Sequence, residues 1–166
     1  RGQYGYLPHP RPRAAYAAMI SDLDEHVGEV LDRLEKHGLT ENTLVIFTSD
    51  NGTTHPGRDP QFHIGGADPE FFHSAAGLRG WKGSVYEGGI RVPCIAKWPG
   101  KIAPGTESAK PSYFPDWFPT LCRAAKVTLT PETEAILDGI DLLPVAMGKP
   151  GVTRSAPLIW EFAEYG

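Results

Sequence analysis

Basic runs, metal- or redox-type cysteine spacings, long apolar stretches and nucleophile motifs are all missing from this 166-residue sequence. Its 16 Lys and Arg stand against 20 Asp and Glu, a net charge of −4, and no stretch collects the positive residues. That leaves no electrostatic footprint for nucleic acid. No segment approaches the roughly 20 apolar residues that cross a bilayer, so no membrane partner is expected. The two cysteines, Cys94 and Cys122, have no CxxC spacing; a pair and two free thiols both remain open, and with them the redox compartment. No serine sits in a G-x-S-x-G context. Neither cysteine has a basic neighbour in a recognisable pattern, so the sequence does not display a nucleophile of its own. At 22% charged residues it is also too weakly charged to read as a disordered tail. The sequence opens on Arg1-Gly2-Gln3 and shows neither an initial Met nor a signal-peptide pattern, which carries no message about where the parent protein resides.

What is present suits a folded domain with long loops. Hydrophobic residues make up 40%, and 19 Gly with 16 Pro exceed the usual combined share of about 12%. Tyr16, Ile20, Leu23, Val27, Leu31 and Leu34 recur at steps of three and four, which predicts one amphipathic helix over 13–37. Pro12 suits its approach and Gly38 its stop. Gly28 beside the stripe would let the helix lie close to a sheet. After a short turn, Thr43-Leu44-Val45-Ile46-Phe47-Thr48 is apolar on both pleat faces, as an interior strand covered by helices would be. Helix, turn and buried strand make half of an α/β layer unit.

Residues 49–89 hold nine of the 19 glycines and three of the six histidines, without sustained periodicity. Loops of this length in compact domains usually serve function. Ile90 to Trp98 reads as a second strand, weakened by Pro93. Aromatic and apolar residues from Tyr113 to Ala125 predict a shorter helix from about Asp116. Asp138-Gly139-Ile140-Asp141 leads into a helical turn through Leu142 and Val145, and Leu158 to Phe162 suggests a last strand.

The sharpest chemical feature is Ser49-Asp50-Asn51-Gly52 directly after the first strand. Ligands in open α/β sheets gather beyond the carboxyl ends of strands. Asp50 and Asn51 offer the oxygen donors that hard divalent cations take, yet two ligands do not complete a site, and Asp-Asn-Gly is also an ordinary turn. Lys82 lies in the glycine-rich run from Gly77 to Gly89, which fits neither GxGxxG nor a Walker A loop. It either presents a compact positive charge to an oxyanion or is a solvated lysine. His55, His63 and His73 have no zinc spacing and read as loop or substrate-edge residues.

Taken together, the motifs resemble the sulfatase family. The resemblance runs through Ala14-Ala15-Tyr16-Ala17-Ala18-Met19-Ile20, Leu23-Asp24, Thr43-Leu44-Val45-Ile46-Phe47-Thr48-Ser49-Asp50-Asn51-Gly52 and Leu78-Arg79-Gly80-Trp81-Lys82. It continues, in family order, through Tyr86-Glu87-Gly88-Gly89-Ile90-Arg91-Val92-Pro93, Trp98-Pro99-Gly100, Asp116-Trp117-Phe118-Pro119-Thr120 and Asp138-Gly139-Ile140-Asp141. The resemblance implies an α/β, alkaline-phosphatase-like layered sheet with flanking helices, present here as the C-terminal part of a catalytic domain. It implies hydrolysis of sulfate esters on a formylglycine nucleophile made from a C/S-x-P-x-R motif, which this sequence lacks. It makes Asp50 and Asn51 ligands of a divalent cation, usually Ca²⁺, and Lys82 a sulfate contact. The aspartates that would complete the cation site are absent as well. The implied partners are a sulfated small molecule or glycan, and either the missing N-terminal half or a second copy. Secreted, periplasmic and lysosomal locations rest on the resemblance alone. A metal-dependent phosphoesterase on the same fold and a non-catalytic binding or structural piece remain as alternatives.

Overall fold

The computed structural model describes residues 9–55, 68–150 and 153–162. The stripe of 13–37 folds as a single helix, α1 (Pro12–Lys36). Pro12 takes the first position, where a missing N–H costs no intrahelical bond. Gly38 follows the helix at φ +66°, a left-handed conformation that glycine adopts without strain. After a 3₁₀ turn at Thr40–Asn42, Thr43 Oγ1 donates to the Leu39 carbonyl at 2.8 Å. The strand β1 (Val45–Thr48) therefore begins two residues later than its apolar run.

A single helical turn, α2 (Glu87–Ile90), precedes β2 (Cys94–Lys97), and β2 pairs with β1 in a two-stranded sheet. The strand expected over Ile90–Trp98 is shorter because Ile90 closes α2 and Pro93 has no N–H to give a ladder. Pro93 serves instead as an acceptor, its carbonyl taking a 2.9 Å bond from Thr48 Oγ1. A 3₁₀ turn at Phe114–Asp116 leads into α3 (Trp117–Ala124), which starts where expected with Pro119 in its first turn. The helix α4 (Pro131–Ala135) was not foreseen, and α5 (Leu143–Ala146) is the short turn after Ile140-Asp141. Leu158–Phe162 is irregular rather than a strand. A strand exists through its ladder, and no described neighbour supplies one.

The chain forms two compact units, drawn from Arg1–Lys36, Phe47–Cys94 and Trp160–Gly166, and from His37–Ile46 and Ile95–Ile159. In the first, Arg13 binds Asp68 through Nη2 at 2.8 Å and Nε at 3.0 Å, with its guanidinium 4.0 Å over the Phe71 ring. Tyr16 meets Phe72 at a ring separation of 5.0 Å. In the second, Leu142 is the one large aliphatic side chain among the described residues that reaches burial.

The interior strand under a helix is not formed by the described residues. β1 has one partner strand, and Phe47 is 39% exposed between half-buried neighbours. No residue of α1 is buried, and Ile20 and Leu23 of its stripe are about half exposed at 49% and 48%. Gly28 faces open space where a Cβ would stand, so it marks no close helix approach here. The arrangement is that of a partial domain with helices and a small sheet. No helix among the described residues is long and apolar enough to cross a membrane.

Candidate functional site

The loop after β1 is fastened to the glycine-rich loop by backbone hydrogen bonds. Gly52 N–H donates to the Gly89 carbonyl at 2.9 Å, and Lys82 N–H donates to the Thr53 carbonyl at 2.7 Å. Inside the second loop, Gly88 N–H reaches the Arg79 carbonyl at 2.7 Å. The contact is too close for side chains. A Cβ on Gly52 would overlap the Gly88 carbonyl oxygen, one on Gly88 the Gly80 carbonyl, and one on Gly89 the Ser84 carbonyl. The glycines thus have a steric reason that their local sequence does not reveal.

Two of the expected site elements come together through this clasp. Asp50 is exposed at the end of β1, while Asn51 is half-buried. Asn51 Nδ2 donates to the Gly52 carbonyl at 3.0 Å, which turns its amide oxygen to acceptor duty elsewhere, and Ser49 Oγ donates to the Asn51 carbonyl at 2.9 Å. Lys82, two residues from Asn51 across the Lys82–Thr53 bond, has an exposed side chain. A carboxylate, an amide oxygen and an ammonium in adjoining turns form a set that a hard cation and an oxyanion can share.

Asp50 and Asn51 fit a divalent cation by donor chemistry, but two donors do not complete a ligand set. Among the described residues, no group of three or more His, Cys, Asp or Glu is placed to hold a metal.

The histidines divide. His55 lies on the same stretch as Thr53, its ring 6.0 Å from that of Trp81 in an edge-on arrangement. His73 is exposed on the turns at 69–77, with left-handed φ of 50°, and its backbone bonds are local ones to Glu70 and Ala76. No contact brings it to the Asp50 loop. His63 lies outside the described residues.

Both cysteines are free thiols. Partial desolvation pushes the Cys94 thiol above its ordinary value of 9.0, and a hydrogen bond with Thr48 only partly opposes this. It stays protonated near neutrality and offers no activated nucleophile.

Sequence reasoning left the function of Asp116 and Arg154 unassigned. Asp116 is fully buried, and one guanidinium nitrogen of Arg154 bridges both its carboxylate oxygens at 2.8 and 2.7 Å. Tyr113 N–H and Ile140 N–H complete the carboxylate's set at 3.0 and 2.8 Å. Thr120 Oγ1 donates to the Asp116 carbonyl and accepts from Leu142 N–H at 2.8 Å. Both motifs, Asp116–Thr120 and Asp138–Asp141, are therefore parts of a structural junction that joins α3, α5 and the segment at Arg154. The available signal was a lone Asp ahead of an apolar helix, which gives no partner.

Comparison with known proteins bears on what this clasp is for. The sulfatase family model matches residues 2–127. Steryl-sulfatase of Rattus norvegicus is 40% identical over 134 residues, covering 81% of this chain but 22% of its own length. Among solved structures, the PsFucS1 sulfatase from Pseudoalteromonas sp. superposes with a TM-score of 0.64 at 30% identity, over 90% of this chain and 29% of that one. Ps i-CgsB in complex with k-i-k-neocarrahexaose gives a TM-score of 0.64 at 29% identity, over 82% of this chain and 27% of that one.

Proposed function

The chain belongs to the sulfatase family, and from that premise we propose that it is the C-terminal part of the catalytic domain of a longer enzyme that hydrolyses sulfate esters. The whole domain would be an alkaline-phosphatase-like layered sheet, completed by polypeptide that covers the open faces of α1 and β1. The observation that carries the reading is the clasp of the Asp50-Asn51 loop onto the Lys82 loop through Lys82–Thr53 and Gly52–Gly89.

Asp50 and Asn51 would hold a divalent cation, with Ca²⁺ the family expectation. Once bound, such an ion neutralises charge on sulfuryl oxygens and favours the anionic form of a nearby nucleophile. The formylglycine of the family would stand in polypeptide outside this segment. Within the segment, Lys82 supplies a fixed positive charge to the sulfuryl oxygens, whose negative charge grows toward the transition state. The Gly52–Gly89 and Lys82–Thr53 bonds hold the Lys82 backbone against the Asp50 turn, and Gly52, Gly88 and Gly89 leave room for that approach. His55 and the neighbouring loop residues would line the edge where the rest of the substrate lies, a sulfated small molecule or glycan.

The test is release of inorganic sulfate by the full-length protein, run beside the matching phosphate monoesters. Sulfate-ester turnover at least about tenfold above phosphate-ester turnover supports the reading. The reverse preference would identify a phosphoesterase on the same fold, and no turnover of either ester would leave the segment as a binding or structural piece.

A further inference from the structure

Trp81 stands immediately before the lysine assigned to the sulfuryl group, and its placement is unusually constrained. Its N–H donates to Ser84 Oγ at 3.2 Å, and its carbonyl is one of the atoms that a Cβ on Gly89 would strike. Those restraints act on the backbone; across the Lys82–Thr53 bond, the edge-on contact with His55 restrains the indole itself. The ring is half-buried, leaving part of its surface to solvent. An aromatic ring restrained beside the proposed sulfate contact, rather than packed away in a core, is a surface on which a ligand ring can lie.

We infer that Trp81, held by His55, is the platform for the sugar ring of a sulfated saccharide whose sulfate is held at Lys82; this rests on the sulfatase reading above. The negative face of an indole attracts the slightly positive C–H edge of an apposed ring. The residues beside the platform favour a saccharide over a steryl or simple aryl group. Thr53 and Thr54, both half-buried, together with His55 and Lys82, present hydroxyl, imidazole and ammonium groups. Hydroxyl and ammonium groups are served poorly by an apolar ligand and matched by ring hydroxyls. Trp81 is a positioning residue for substrate and takes no part in bond breaking.

The experiment is calorimetric titration of the full-length protein, as wild type, Trp81→Ala and Trp81→Phe, with a sulfated monosaccharide and with inorganic sulfate. Turnover of the saccharide is measured in parallel. Trp81→Ala should weaken saccharide binding about tenfold, the range of a lost aromatic contact, with Trp81→Phe recovering most of it. Sulfate affinity should be unchanged in both variants, which also reports an intact fold. Equal weakening toward sulfate and saccharide, unchanged saccharide affinity, or no saccharide binding by the wild type would each overturn the inference. Selective loss of saccharide binding in a protein that turns over nothing would uphold the platform and overturn the hydrolase reading instead.

Discussion

One hydrogen, the side chain of Gly52, decides whether the two loops of the site can meet, while those of Gly88 and Gly89 let the second loop close on itself. All three stand where a carbon would collide with backbone, and two N–H···O bonds set the approach of the Lys82 backbone to the Asp50 turn. The anchored backbone leaves only the side-chain torsions of Lys82 to be ordered before its ammonium meets charge developing on a sulfuryl group. Lys82→Ala in the full-length enzyme should therefore lower kcat by about 10²–10³ and raise KM by much less. Steady-state kinetics on a sulfate ester read the split directly. A rise in KM at constant kcat would mean that Lys82 only captures the ground-state anion. Cys94 makes the opposite case at the same scale. Its thiol, raised by desolvation, shows that proximity to β1 is not sufficient to make a nucleophile.

Among the elements, the junction around Asp116 has the most at stake energetically. A carboxylate removed from water is held by Arg154 and two backbone N–H groups, so deleting either charge strands the other. Asp116→Ala should cost about 3–5 kcal/mol in a denaturant melt, while an apolar replacement of both partners should cost clearly less than the single change. Equal losses for the single and double variants would show that the pair matters through packing alone. The same junction marks where sequence reading stops. α1 and β1 were legible because a helical period and a doubly apolar run are local signals. α4 also carried a local signal that went unread: Thr130 as N-cap, Pro131 first in the helix, and Thr133 N–H bound to Thr130 Oγ1 at 3.3 Å. The strand suggested over Leu158–Phe162 needed a partner, and partners are not written locally, whereas that over Ile90–Trp98 forms at Cys94–Lys97 against β1. In the site, Asp50, Asn51 and Lys82 were legible as residue types. Their joining depends on the Lys82–Thr53 bond between distant turns, and no spacing rule encodes that. The Arg154–Asp116 and His55–Trp81 pairings are long-range in the same sense.

For the whole molecule, the prominent fact is how many large apolar side chains stand exposed among the described residues. Ile20, Leu23, Phe47, Ile95 and Phe118 all stand 39% exposed or more. Patches of that kind on a soluble chain mark surfaces meant for other protein. The 166 residues expressed alone should bind an apolar fluorescent dye and self-associate in sedimentation velocity; a dye-silent monomer with a sharp unfolding transition would contradict the partial-domain account. The central claim is that the turn after β1 is one half of a cation site, and Ca²⁺ titration of the full-length protein tests it most directly. The account predicts one calorimetric site in the wild type, weakened at least about a hundredfold by Asp50→Ala, since that change removes a charged ligand. Undiminished Ca²⁺ affinity in Asp50→Ala would contradict it.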